Sequence, residues 1–172
     1  SSSASSASVA VSASSSSSSN SNSDREHASS SYASGCEAER KGDLKLAFEL
    51  YLSAMSHGNG PATVKVAAFF LYGFNVQKIQ ESKAVELLFK AYQQWVPGSS
   101  YQLAVCYDRG LGVTEDKTMA DQLAAADASD PLCRFSFSHS DEERAAAAAD
   151  VRKPAADGDI EARFALARLP TL

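Results

Sequence analysis

The sequence predicts an all-α protein: an α/α right-handed superhelix (solenoid) of stacked helical hairpins, with a disordered N-terminal tail. Three observations support this fold class. From about residue 30 onward, apolar residues recur at helical spacing and the alternation typical of strands is absent. Glycine and proline fall in the gaps between the predicted helices. One set of apolar and glycine positions also recurs at a stride of about 36 residues, as repeat architectures do.

The N-terminal segment, residues 1–29, is dominated by serine and has almost no large apolar side chain. Such a composition cannot bury enough apolar surface to offset a backbone entropy cost of roughly 1–2 kcal/mol per residue on folding. We therefore predict a disordered low-complexity tail, which serves either as a passive linker or as a phosphorylated regulatory arm. The repeat solenoid would occupy residues 30–172, and both ends have the character of an excerpt from a longer chain.

Helical patterns follow one another along the rest of the chain. The predicted helices span residues 31–39, 43–57, 62–72, 81–94, 99–108, 116–128, 132–137 and 142–156, with a new helical start after Gly158. Pro154 should disturb the last turn of its helix, because proline lacks the N–H and clashes with the preceding turn. Paired, these helices give repeat units at about 30–58, 62–95, 99–128 and 131–157, with a partial unit at 160–169.

The repeat is clearest in the second and third units. Phe70 and Tyr107 are expected to fill the space between hairpins, and Gly73 and Gly110 to end the first helix of each pair in the left-handed conformation. Small side chains at equivalent positions let two helices approach closely, and those positions are Ala67, Ala84, Ala104 and Ala120. Six positions recur in order, 37 residues apart before a one-residue slip and 36 after it: Val66, Phe70, Gly73, Val76, Ala84 and Leu87 return as Leu103, Tyr107, Gly110, Val113, Ala120 and Leu123.

The segment from Ser99 to Asp116, S-S-Y-Q-L-A-V-C-Y-D-R-G-L-G-V-T-E-D, resembles the Sel-1-like repeat family, a relative of the tetratricopeptide repeats. That family's pattern reads A-x-x-x-L-G-x-x-Y-x-x-G-x-G-V-x-x-D, followed by K-A in the second helix. The unit beginning at Ala62 departs further, since Asn75 replaces the second glycine. The resemblance implies a solenoid fold and roles as an assembly platform in signalling, in membrane-protein degradation at the endoplasmic reticulum, or in cell-wall synthase activation.

Charge and hydropathy exclude two classes of partner. A formal net charge of −5 with scattered lysines and arginines provides no basic stripe for a nucleic-acid backbone. Direct membrane insertion is not expected, because the densest apolar patch, residues 64–74, is interrupted by Lys65 and Gly73. The cysteines are widely spaced and are expected to be small buried residues in a reducing compartment, which favours a cytoplasmic location; they are Cys36, Cys106 and Cys133.

No constellation of residues predicts catalysis, a metal or a cofactor. The acidic run at 141–143 stands at a predicted helix start, where carboxylates complement the helix dipole. Gly110 and Gly112 flank a turn that lacks the lysine of a phosphate-binding loop. None of the histidines forms a metal-binding pair; they are His27, His57 and His139. We therefore predict that the chain is not an enzyme.

Surface recognition is the remaining function. In stacked hairpins the first helix of each pair lines a concave binding face. An aromatic recurs at the third position of this helix, as Tyr101, Phe135 and Phe164, which is also compatible with ordinary packing. If the resemblance holds, the residues that point inward and bind a partner are Val64, Ala68, Leu71, Tyr72, Tyr101, Val105, Asp108 and Arg109.

The predicted function is a non-catalytic scaffold or adaptor that binds another protein or an extended peptide along this concave face. One alternative is a regulatory or substrate-recruiting repeat region of a larger enzyme, such as an α-kinase resembling the elongation-factor-two kinase. Another is a hydrolase that depends on one of the three cysteines.

Overall fold

The computed structural model describes residues 17–168 except residue 75. Every regular element in this part of the chain is an α-helix, so the all-α class is confirmed. The helices are α1 (Ser17–Arg40), α2 (Leu44–Ser56), α3 (Gly60–Tyr72), α4 (Glu81–Gln93), α5 (Ser99–Arg109), α6 (Lys117–Ala126), α7 (Pro131–Phe137), α8 (Asp141–Ala156) and α9 (Ile160–Ala167).

The helices are arranged as a stack of hairpins. α1 packs on α2, α3 on α4, α5 on α6 and α7 on α8, and each pair also packs on the next one along the chain. α9 packs on α8 as the first helix of a fifth unit. Because neighbouring elements in the sequence supply most of the contacts, the architecture is the predicted α-solenoid.

Short polar side chains fix where most of these helices begin. Asp43, Asn59, Asp116 and Asp159 each accept a hydrogen bond from a backbone N–H in the first turn of the following helix. The predicted glycine ends are confirmed as well. Gly73 and Gly110 follow α3 and α5 with φ of 71° and 68°, a region that only glycine enters at little cost.

The predicted repeat positions form the main core, with one difference. The four alanines predicted to permit close approach are at most 1% exposed, and Phe70 is 3% exposed. Tyr107, the equivalent of Phe70, is half-buried and meets the ring of the exposed Phe89 edge-on at 6.5 Å. The third unit therefore places its aromatic residue at the rim of the hairpin interface, whereas the second unit buries it.

Helix α1 overlaps residues 17–29 of the predicted tail. Residues 1–16 lie outside the described residues, but α1 starts at Ser17, well before the expected opening helix at 31–39. Ala28 is 3% exposed, and the ring of Tyr32 packs 5.7 Å from that of Tyr51 in α2. Packing on α2 nucleates the helix, and its extension toward the N-terminus then costs little even for serine-rich sequence.

The last turn that Pro154 was expected to disturb is helical. α8 continues through Pro154 to Ala156. Pro154 lies in the last turn, and its carbonyl accepts the N–H of Asp159 at 2.9 Å as the chain leaves the helix. Proline removes one helical hydrogen bond and its ring crowds the preceding turn, but only two helical residues follow Pro154, so the distortion displaces little of the helix.

The three cysteines are free; Cys106 and Cys133 are buried and Cys36 is half-buried. Burial raises the pKa of Cys106 to about 12, which keeps the thiol neutral and unreactive. Among the described residues, no helix combines the length and apolar character needed to cross a membrane.

Candidate functional site

Among the first helices of the pairs, α3 contacts α5 and α7 contacts α9. We call the side of the stack that these first helices form the inner face. The stack curves so strongly that α9 returns to α1 and α3. The carboxylate of Glu39, near the end of α1, accepts the N–H of Ile160 at 2.8 Å, although 121 residues separate them. The ring of Phe164 lies 4.5 Å from that of Tyr72, at the end of α3. The chain's own last described helix therefore covers one end of the inner face.

Four of the predicted partner-binding residues lie on α3, and little of their surface is open. Val64, Ala68 and Leu71 are buried, with exposures of 4%, 1% and 3%. Tyr72 is half-buried beneath Phe164, and its hydroxyl donates to Gln102 Oε1 at 3.1 Å. In this conformation the four residues pack between helices.

The other four predicted residues lie on α5 and share one cleft of about 200 Å³. Tyr101 and Val105 are each 3% exposed and form its floor, while Asp108 and Arg109 are more open and form its rim. The structure thus brings half of the predicted residues to one accessible place on the inner face. The rest of the cleft is lined by Phe135, Ser136, Phe137, Arg144, Ala165 and Arg168.

Three arginines from different elements meet at this cleft. Arg109 ends α5, Arg144 lies in α8 and Arg168 follows α9. The guanidinium of Arg144 donates to the carbonyl of Ser138 at 3.1 Å, and that of Arg168 lies 4.9 Å from the ring centre of Phe164. Neither Arg109 nor Arg168 forms an ion pair with any described residue. The cleft is therefore a basic site on a chain whose formal net charge is −5.

Two further groups set the polarity of the cleft. The single carboxylate, that of Asp108, is paired with Lys117, whose Nζ lies 3.0 Å from Oδ1. Burial raises the pKa of Tyr101 to about 12, and Ser136 donates to its hydroxyl at 3.4 Å, so the phenol is neutral. Arginine donors above an aromatic floor suit a carboxylate that is carried next to an apolar side chain.

A buried ion cluster fastens α9 to α1 and α3. Lys65 Nζ lies 3.2 Å from Glu39 Oε1, 3.4 Å from Asp159 Oδ2 and 3.8 Å from Glu161 Oε1. Burial lowers the pKa of Lys65, but the three carboxylates, Glu161 the most, more than offset this and raise it. Lys65 is therefore a permanent cation shared by three acids.

Glu161 is the carboxylate of this cluster whose ionised form is disfavoured by burial. Burial raises its pKa and Lys65 lowers it, and the balance brings the pKa to about 7. Glu161 Oε1 and Gln102 Nε2 are both buried without a hydrogen bond. Glu161 therefore exchanges its proton near neutral pH, and its protonation removes the third negative charge around Lys65.

Residue patterns did not predict the ion cluster, although Lys65 carried a signal. A lysine inside the apolar stretch 64–74 needs a carboxylate partner once the helix is buried. Which carboxylates meet it depends on the curvature of the whole stack, which the spacing of apolar residues does not specify. The same holds for Arg144 and Arg168, which reach the cleft from the fourth and fifth units.

The acidic run weighed for catalysis occupies a structural position. The acidic run 141–143 lies in the first turn of α8, and Ser140 caps that helix by accepting the N–H of Glu143. The rings of His27 and His57 come within 6.3 Å of each other. Across the described part of the chain, no three or more His, Cys, Asp or Glu side chains gather in a way that could hold a metal ion.

Comparison with known proteins supports the fold. No family model and no curated protein matches the sequence. The solved structure of a Sel1 repeat protein from Oxalobacter formigenes is similar, with a TM-score of 0.52 and 17% identity over 84% of this chain. The match spans 60% of that protein, and at this identity it shows the fold alone. With its stacked hairpins and glycine-ended first helices, the chain has a Sel1-like repeat fold.

Proposed function

We propose that this protein is a non-catalytic scaffold that binds an acidic segment of a partner protein on its inner face, in the cleft between α5, α7, α8 and α9. The observation that supports this most is the pair of arginines, Arg109 and Arg168, which reach the cleft without an ionic partner among the described residues. Arginine is enriched at protein–protein interfaces and among the residues that contribute most to binding.

The shape of the cleft narrows the proposal to a short extended segment. A volume of about 200 Å³ accommodates one or two side chains, not a folded domain. Phe135 and Phe137 line the wall next to Tyr101, so an apolar side chain would enter there while a neighbouring carboxylate meets the arginines. Further contacts along the stack would then add affinity in small increments.

The test is to select peptides that bind the intact chain from a random-peptide phage library. The affinity of the enriched peptides is then measured by calorimetry. We expect enrichment of aspartate or glutamate beside an aromatic or aliphatic residue. Replacing both Arg109 and Arg168 with alanine should weaken binding by about tenfold to a hundredfold, because charge-assisted hydrogen bonds are lost. Arg152→Ala, an exposed change on α8 away from the cleft, is the matched control and should leave the affinity unchanged.

Selected peptides without acidic residues, or peptides whose affinity is the same for the double variant and the control, would contradict this function. A strong dependence of the affinity on salt is expected in addition, because the proposed contacts are ionic and partly open to solvent.

A further inference from the structure

The loop between α4 and α5 carries the most exposed large apolar side chain of the described residues. Trp95 is 87% exposed, and its backbone φ is 57°, in the left-handed region that disfavours every residue with a Cβ. It is also the single tryptophan of the chain. A tryptophan that is 87% exposed buries little apolar surface, and its backbone conformation is unfavourable, so stability alone does not account for it.

Comparison with other helix ends of the same chain sharpens this observation. α1, α2, α4 and α8 all finish with the same two hydrogen bonds, one reaching back three residues and the next reaching back five. Three of these ends place a glycine at the left-handed position: Gly42, Gly58 and Gly158, with φ of 81°, 84° and 97°. Trp95 occupies that position at the end of α4. The chain thus has a tryptophan where its own equivalent sites have glycine.

The indole borders a cleft of about 300 Å³ at this edge of the stack. The ring of Tyr92, one turn earlier, lies 6.4 Å from that of Trp95. On the other side stands Asp127, whose carboxylate accepts the hydroxyl of Ser129 at 3.0 Å. No lysine or arginine lines the cleft, and Asp127 forms no ion pair with any described residue.

Helix dipoles reinforce the negative character of this cleft. The C-terminal ends of α4 and α6 both border it, through Trp95 and Asp127, and helix C-termini attract cations. The N-terminus of α5 also borders the cleft and opposes this effect in part, although the N–H of Ser99 is bonded to the carbonyl of Val96 at 3.3 Å. Two aromatic faces, one carboxylate and two helix C-termini together favour a positively charged guest.

We propose that Trp95, Tyr92 and Asp127 form a second binding site, which takes an arginine side chain of a partner peptide. A planar guanidinium stacks on an indole face and donates two parallel hydrogen bonds to a carboxylate. This site lies at the start of α5. The cleft that we propose binds an acidic segment includes Asp108 and Arg109 at the end of α5, roughly 15 Å away at a rise of 1.5 Å per residue. The two surfaces therefore have opposite charge preferences and can be tested separately.

The test is NMR titration of the intact chain with acetyl-arginine amide, following the indole N–H of Trp95 and the backbone N–H of Asp127. Acetyl-citrulline amide, which has the same shape without the charge, is the comparison ligand. We expect saturable millimolar binding of the arginine compound and binding about tenfold weaker for citrulline. Asp127→Asn should also lose most of the affinity.

The decisive variant is Trp95→Gly. We expect it to abolish arginine binding while raising the melting temperature by about 2–4 °C, because glycine relieves the left-handed backbone. Ile79→Ala, at another exposed apolar residue that does not line the cleft, should change neither property. Equal affinity for citrulline and arginine, binding of a hexaproline peptide in place of arginine, or unaltered arginine affinity in Trp95→Gly would each overturn the proposal.

Discussion

The first three hairpins and the C-terminal part of the solenoid are filled with side chains of different size. From α1 to α6 the core is rich in aromatic and large aliphatic residues, among them Phe48, Phe69 and Leu88, which are 8%, 0% and 0% exposed. The separate core shared by α7, α8 and α9 has Phe135 and Val151, and its other buried members are alanines. Alanine buries little apolar surface, so the C-terminal part gains less from packing.

Polar contacts with the start of the chain also stabilise the C-terminal part. They offset some of the stability that its smaller apolar core does not provide. Glu39 receives the N–H of Ile160, and Lys65 joins Glu39 to Asp159 and Glu161. Close backbone approach supports the same junction, since a Cβ at Gly158 would lie only 2.8 Å from Arg40 Cα. One region is therefore held by its own core, and the other by closure of the superhelix.

The largest effect that separates the two regions is expected from truncating their fully buried side chains. Phe69→Ala should lower the free energy of unfolding by about 3–5 kcal/mol, because Phe69 contacts the rings of Phe48, Tyr51 and Phe74. Val151→Ala should cost only about 1.5–2 kcal/mol, on the scale of two buried methyl groups. Urea unfolding followed by circular dichroism measures both, and equal losses would remove the distinction between the regions.

Removing the shared cation should have the next largest effect. Lys65→Met leaves three carboxylates without their partner, so we expect a loss of about 3 kcal/mol and faster hydrogen exchange in α9 than in α4. Lys45→Met, an exposed change on α2, is the matched control. If α4 and α9 gain exchange equally in Lys65→Met, the cluster does not hold α9 in particular.

The contrast between the regions also explains what could be predicted from residue patterns. Glycine at 73 and 110 and alanine at 67 and 104 recur at a fixed stride because neighbouring hairpins repeat the same local packing. That regularity was sufficient to predict α3 to α6. The four predicted residues that line the inner cleft were inferred from the resemblance to the Sel-1-like repeats, and their role in binding a partner stays a prediction. Contacts such as that between Glu39 and Ile160 depend on the curvature of the whole stack. Local residue patterns do not predict that curvature.

The ion cluster predicts that stability falls as pH rises from about 4.5 to about 7. The pKa of Glu161 is about 7 in the folded protein against an ordinary value of 4.5. The folded state therefore holds a proton that the unfolded state has released, and its contribution is complete below pH 4.5 and lost as pH approaches 7. Glu161→Gln mimics the protonated form.

We expect Glu161→Gln to be more stable than the native chain by on the order of 2 kcal/mol at pH 8, with the difference disappearing near pH 5. Thermal melts across this pH range provide the measurement. Glu142→Gln, an exposed glutamate of α8, should show no such crossover. A native chain that melts at a higher temperature than Glu161→Gln at pH 8 would contradict this prediction, because it would show that the ionised carboxylate is well paired.

The smallest change in stability is expected at a cleft of about 440 Å³ between α6 and α8, which is lined in part by alanines. Ala125→Leu should fill part of it and stabilise the chain by about 0.5–1 kcal/mol. Ala145→Leu, on an exposed part of α8 outside the cleft, should not. Chemical denaturation of the two variants compares them directly, and identical midpoints would show that the cleft gains nothing from being filled.

Closure of the superhelix is tested most directly by hydrogen exchange at the amide of Ile160. This N–H belongs to the first turn of α9, where backbone donors lack helical partners and exchange quickly unless something else binds them. Because it donates to the buried carboxylate of Glu39 at 2.8 Å, it should be strongly protected in the native chain and lose that protection in Glu39→Leu. An Ile160 amide that exchanges in the native chain as fast as an unstructured peptide would contradict the closed solenoid.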